Sequence, residues 1–363
     1  MIFLLGLISF FNIVKKINKD VYKSTFLMAL VLCLPLYISS LYSLFFNNVS
    51  YTGLLTIFFI FAIISISLYI VSAGKVGTFL AYIIAITCFA NFVGFYLYFV
   101  EEVIFFGVTL EYDVLFSKRM NSWFNNSTEL GILNGFSLIA CVYLFSLRQL
   151  KPLVFTLSLV TILIGMLLSG GRTPLIALAF VLFIRMLFNF NYKGLMYGAI
   201  FFVSLVISSY VLYEYYYDDI FIIRRFAEGD ISGLGGRDEK FELFIQYFGK
   251  TGLGDLLFGS GIGFFYELGI SIHSGILRTA QELGVVNITI FYLFSFFVIF
   301  CSGLKSRDPS TRGFVISSLT YFLFCELMAI LLLGPTIYFA IYIFVIVILV
   351  CDLNFYGQVE VER

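Results

Sequence analysis

A single histidine, His273, and a single tryptophan, Trp123, occur in the whole chain, and only five prolines among 363 residues. One histidine leaves almost no room for a His-rich metal site. The six cysteines, Cys33, Cys88, Cys141, Cys301, Cys325 and Cys351, lie in or beside apolar runs, and no two are spaced C-x-x-C. That pattern argues against a disulfide framework and a thiolate metal centre, and leaves them as small core hydrophobes. Charge is scarce too: charged residues make up 12% of the chain and the formal net charge is zero. A neutral chain lacks the electrostatic footprint of a nucleic-acid binder, or of a protein held to a membrane surface by charge alone. The apolar run over 1–14 has no basic stretch before it and no small-residue cleavage site after it, so no cleavable signal is expected.

What fills the space is hydrophobic side chain. The chain is 61% hydrophobic, with 46 Phe and 24 Tyr, and its mean hydropathy is +1.02. Soluble domains run nearer half apolar and about a quarter charged, so this is the composition of a membrane protein. A helix needs about 20 apolar residues to cross the hydrocarbon core. Such runs fall at 26–46, 53–73, 76–100, 130–147, 152–169, 173–190, 194–213, 274–300, 313–333 and 335–351. The segment 1–14 is either a short tilted span or an interfacial helix. The expected fold is therefore an all-α polytopic membrane protein of about ten or eleven spans.

Loop charge orients these spans. Lys15, Lys16, Lys19, Lys23, Lys75, Arg148, Lys151, Lys193, Lys305, Arg307 and Arg312 fall in alternate loops whose only acids are Asp20 and Asp308. The positive-inside rule puts those loops in the cytoplasm. The other face then carries Glu101, Glu102, Glu129, Asp238, Glu239, Asp255 and most remaining acids. The chain divides into N-terminal spans over 1–213, one long external loop over 214–272, and C-terminal spans with a short tail over 273–363. Within the loop, Phe241, Phe244, Ile245 and Phe248 recur at helical spacing over 237–249, which predicts an amphipathic helix lying over the membrane face. The glycine-rich stretch after it, 252–263, would let backbone approach a ligand closely or move as a lid. No internal repeat is visible.

Four features on the external side carry chemistry. Arg172, in LLSGGRTPLIAL, sits between two apolar spans, where an unpaired cation costs a few kcal/mol and calls for a partner or an aqueous cavity. Thr173 and Pro174 read as an N-cap and first turn after it, and a helix N-terminus beside an arginine suits an anion. The plainer reading is a snorkelling arginine at the interface. Arg237 opens the amphipathic helix and could face phosphate, or pair with Asp238 or Glu239. His273 lies where the loop re-enters the membrane, able to accept a proton or simply to cap a helix. Arg278 and Glu282, four residues apart, can pair on one helix face just beyond it. The first external loop, SKRMNSWFNNSTELG, offers Arg119, Trp123, Asn125 and Asn126 to a sugar or phosphate, or to ordinary interfacial packing. Glu326, inside a span, is a further suspect.

In order along the chain, RMNSWFNNSTELG, SGGRTPLIAL and GSGIGFFYELGISIHSGILRTAQELGVV resemble three motifs of the bacterial O-antigen polymerase (Wzy-type) and O-antigen ligase (WaaL-type) superfamily. The likeness covers about residues 115–300. It departs at Ser274, where the family often has Asn, and at Phe241 and Phe244, where a tryptophan commonly follows the loop arginine. The resemblance implies a GT-C-like glycosyltransferase in the bacterial inner membrane with its active site on the periplasmic side. It implies an undecaprenyl-pyrophosphate-linked glycan as donor, an inverting transfer, and no metal or other cofactor. By the same resemblance Arg172 and Arg237 would hold the pyrophosphate and His273 would be the base, with Arg119, Arg278 and Glu282 as further substrate contacts. Membrane lipid and a chain-length regulator are the partners to expect, and nucleic acid is not. Three functions compete: polymerase, ligase acting on a lipid A–core acceptor, and a transporter or flippase. Few mid-span prolines and ionisable residues gathered on one face argue against transport.

Overall fold

The computed structural model describes residues 38, 41–42, 66, 70, 75–100, 102–105, 108–111, 120, 122, 127–188, 237–261, 264, 275–290, 292–293 and 308–328, some by backbone alone. The spans expected over 1–14, 26–46, 53–73, 194–213 and 335–351 lie wholly or almost wholly outside these residues. The chain forms two compact units, one of Gly77–Ser232 with Ile316–Cys325, the other of Met1–Val76 and Gly233–Val315 with Glu326–Arg363.

The described architecture is helical. α1 (Val76–Val100), α2 (Ser127–Ser146), α3 (Pro152–Ser169) and α4 (Arg172–Phe188) follow the expected runs to within a few residues. α5 (Arg237–Lys250) is the expected amphipathic helix, and α6 (Leu253–Phe258) follows it. α7 (Gly275–Leu283) and α8 (Pro309–Met328) complete the long elements. Between α1 and α2 the sequence reading missed a short antiparallel hairpin, β1 (Glu102–Phe105) with β2 (Val108–Glu111), which pairs Val103 with Leu110. The run over 274–300 is not one continuous helix, because α7 stops at Gly284 (φ 83) before helix resumes over 285–290.

Among the described residues, three helices are long and apolar enough to cross a bilayer: 22 residues over Val76–Leu97, 20 over Ser127–Ser146 and 18 over Pro152–Ser169. At 1.5 Å per residue these reach about 27–33 Å, against a hydrocarbon core of about 30 Å. Within the first unit α2 packs against α3 and α4. Protein covers 72% of its span, against 33% for α1 and 28% for α3, which makes α2 the central helix. α1 and α3 instead turn Tyr82, Phe89, Phe92, Leu153 and Leu157 outward.

Local chemistry sets the ends. α2 closes in a Schellman arrangement, with Gln149 N–H on the Leu144 carbonyl (2.9 Å) and Arg148 N–H on Phe145 (2.9 Å). Arg148 takes the left-handed position, φ 57, that glycine usually fills. Pro152 starts α3, where its missing N–H costs nothing, and left-handed Gly170 (φ 64) ends it. Asp308 caps α8, accepting from Thr311 N (2.8 Å) and Ser310 N (3.2 Å), with Pro309 at the first helical position.

Polar groups hold the helix contacts in register. Asn91 of α1 and Asn134 of α2 exchange amide hydrogen bonds, 2.7 and 3.1 Å, and both are fully buried. The Asn91 amide also donates to the Thr161 carbonyl of α3 (3.3 Å). One turn away, the Thr87 and Ser137 hydroxyls meet at 2.7 Å. α3 offers Gly165 to Asn91, and α2 offers Gly135 to the Tyr321 phenol, where a Cβ would collide in both cases. Tyr321 of α8 donates to the Ile132 carbonyl (3.0 Å). Small residues at such contacts let helix axes approach and direct hydrogen bonds form.

Two measurements check this reading. Asn91→Leu or Asn134→Leu alone strands a buried amide and should cost about 1–3 kcal/mol. The double substitution should cost less than the sum of the singles, read from unfolding in mixed micelles. Burial works to raise the Asp308 pKa, but hydrogen bonds from Thr311 and Ser310, with Arg312 nearby, outweigh it and hold the carboxyl below its ordinary 3.8. Its stabilisation of α8 is thus present above that value and lost as pH falls below it. Asp308→Ala should cost about 1 kcal/mol at neutral pH, with the difference vanishing in acid.

Candidate functional site

In the first unit the structure brings together the first two sequence motifs. Met120 is buried with Ala90 and Leu130, and Phe95 and Leu168 pack on the cluster. The Met120 N–H donates to the Leu168 carbonyl at 3.1 Å, which ties the RMNSWFNNSTELG segment to the end of α3. One turn into α2, Gly131 faces the Ser169 hydroxyl and the Pro174 ring, each 2.8 Å from where a Cβ would stand. Only glycine lets α2 lie this close to the SGGRTP turn. Ser169 spends its own hydroxyl on the Met166 carbonyl (2.7 Å).

Arg172 is the first residue of α4, so the helix begins one residue before the expected cap and Thr173 lies inside its first turn. The backbone therefore puts Arg172 at the positive end of the α4 dipole, where anions are favoured. Its side chain, Arg119 and His273 lie outside the described residues.

The second unit holds the rest. Arg237 is the first residue of α5, and its side chain also lies outside the described residues. Phe244 and Phe248 stack at 5.3 Å and pack against Phe264 and Leu277. Phe244 and Phe248 of the apolar side of α5 are thus covered by protein, by two residues on either side of His273 in the sequence. Leu243 and Ile245 stay exposed.

α7 carries the expected ion pair. Arg278 Nε donates to Glu282 Oε1 at 2.7 Å, and the two side chains are 10% and 0% exposed. A pair this deep has lost its hydration, and each charge depends on the other. Beside it the glycine run is strapped to α7. Ser260 N–H donates to the Gln281 carbonyl (2.9 Å) and Gly261 N–H to the Glu282 carbonyl (3.1 Å). The Gln281 amide donates to Thr251 Oγ (3.0 Å) and Ser260 Oγ (2.9 Å), and that of Asn287 to the Leu283 carbonyl (2.8 Å).

Gly259 (φ 95) and Gly284 (φ 83) make this contact feasible, since a Cβ on either would run into the opposing backbone. Of the glycines read as a close approach to substrate or a moving lid, Gly254 meets the Tyr42 phenol and Gly259 the backbone of Glu282 and Leu283, while Gly252 meets nothing within 4 Å. Gly259 presses the run onto the helix that carries Arg278 and Glu282. Sequence reasoning overlooked Gln281, Ser260, Thr251 and Asn287. The available signal was a dense set of amides and hydroxyls where the chain re-enters an apolar run. Further along, Tyr292 Oη donates to Glu326 Oε1 at 3.0 Å, so the carboxyl suspected from sequence has a phenol partner.

The chain matches no protein-family model and no curated protein.

Glu282→Ala leaves Arg278 buried without its counter-charge and should cost about 3–5 kcal/mol. Replacing both, Arg278→Met with Glu282→Leu, should restore most of that stability in the same unfolding assay. A double-variant loss equal to the sum of the Arg278→Met and Glu282→Leu losses would show that the pair is not coupled.

Proposed function

We propose that this chain is a surface-polysaccharide polymerase of the O-antigen type. On this reading it extends a lipid-linked glycan at the periplasmic face of the bacterial inner membrane. The observation that carries the proposal is the junction of Met120 and Gly131 with Leu168, Ser169 and Pro174. Two of the three motif segments behind the family resemblance, far apart in the chain, meet there at the start of α4. The compact packing of the third segment around Arg278 and Glu282 is further support.

The chemistry asked of the residues is limited. The acceptor hydroxyl attacks the anomeric carbon of the donor glycan, and the bond from that carbon to the pyrophosphate oxygen breaks with its electron pair on the leaving group. Arg172 at the α4 dipole, and Arg237 after it, balance the charge that develops there. His273 takes the proton from the attacking hydroxyl. The donor is an undecaprenyl-pyrophosphate glycan, held by its lipid in the bilayer, and a chain-length regulator is the protein partner of such a reaction. The glycine run is strapped to α7 within its own unit.

Gene deletion and complementation in the source strain test the proposal. The expected result is a lipopolysaccharide pattern of core plus one repeat unit, with the ladder restored by wild type but not by Arg172→Ala or His273→Ala at equal expression. Bare core with accumulated lipid-linked polymer would make the protein a ligase. An unchanged ladder would overturn the proposal.

A further inference from the structure

Unpaired buried polar groups are costly, and a natural chain keeps few of them without a use. In the first unit the buried side-chain oxygens with no hydrogen-bond partner are those of Ser122, Ser127, Ser317 and Ser318 among the described residues. Ser317 and Ser318 lie inside α8, where a serine hydroxyl can turn to the carbonyl one turn earlier. Ser122 and Ser127 have no such carbonyl, because Ser122 precedes α2 and Ser127 is its first residue. Ser127 does not cap its helix either, since its hydroxyl has no partner. The two residues are 2% and 0% exposed.

Ser122 also sits at φ 55, in the left-handed region that non-glycine residues enter at a cost. Ser122 and Ser127, five positions apart, thus bring together two orphaned hydroxyls and a strained backbone at Ser122. They lie between Met120, bonded to Leu168, and Gly131, packed on Ser169 and Pro174.

We propose that Ser122 and Ser127 bind sugar hydroxyls of the glycan, in a subsite where α2 begins, beside the turn that carries Arg172. The chemistry favours a neutral polyhydroxyl over an anion. A serine hydroxyl both donates and accepts, as a sugar hydroxyl does. The sugar must displace protein atoms that cover the two hydroxyls, and relaxation of the Ser122 backbone assists that step. The inference rests on the polymerase reading, because it takes the lipid-linked glycan as the ligand.

An orphaned hydroxyl and a paired one respond oppositely to removal. Taking away a paired hydroxyl destabilises the protein, whereas taking away an orphan relieves a burial cost. At φ 55 a glycine also meets no Cβ penalty. The test uses full-length protein in nanodiscs, as wild type, Ser127→Ala and Ser122→Gly. The probes are inorganic pyrophosphate and the repeat-unit oligosaccharide released from the source strain's surface polysaccharide. Expected are melting temperatures equal to or above wild type in both variants, with oligosaccharide affinity weaker by about fivefold per hydroxyl and pyrophosphate affinity unchanged.

Loss of several degrees of melting temperature, or failure to fold, would make the hydroxyls structural and overturn the subsite. Oligosaccharide binding at wild-type affinity in both variants would also overturn it, leaving the hydroxyls to buried water. A wild-type protein that binds no oligosaccharide would remove the polymerase reading and the subsite together, which separates that failure from the other two.

Discussion

An amide buried between apolar helices has no water to fall back on, and the reciprocal bond between Asn91 and Asn134 is how α1 and α2 satisfy that condition. Everything nearby is arranged around it. Gly165 of α3 leaves the space the Asn91 side chain occupies, and the Thr161 carbonyl takes the spare amide proton. A one-residue slip of α1 or α2 would turn one asparagine toward the outer apolar surface. The amide pair therefore sets register where leucines and phenylalanines alone would tolerate several alignments. Because α3 is fixed by the same residues, so is the turn at Gly170 from which α4 departs.

The second unit meets the same requirement differently. Around α7 backbone carbonyls join the side-chain bonds: those of Gln281, Glu282 and Leu283 each receive a donor from across the contact or from the next turn, while Gln281 Oε1 and Asn287 Oδ1 have no hydrogen-bond partner. Backbone fixes position more firmly than rotatable side chains, and the absence of Cβ atoms at Gly259 and Gly284 allows the strands of chain to meet. Arg278 and Glu282 are held on that platform with little freedom to reorient.

Much of this could be read from the sequence, because the relevant signals are local. Apolar runs of about 20 residues located α1, α2 and α3 to within a few positions. The four-residue spacing of Arg278 and Glu282 foretold their pair, and the recurrence of Phe244 and Phe248 foretold α5. What escaped depends on distant partners. Gln281 reaches back 30 residues to Thr251, and nothing in the local pattern says so. Asn91 and Asn134 stand in apolar runs 43 residues apart, each unremarkable alone. The hairpin over 102–111 is too short for periodicity to separate it from a loop. Gly284 was visible, but its interruption of the 274–300 run follows from a left-handed backbone that composition does not reveal.

The bond from Tyr321 to the Ile132 carbonyl joins residues 189 positions apart. At a synthesis rate of about 5–20 residues per second, α8 emerges roughly 10–40 seconds after the helix it docks on. During that interval the notch at Gly135 is vacant, and α2 has this face uncovered. Maturation of this unit is therefore governed by the last third of the polypeptide.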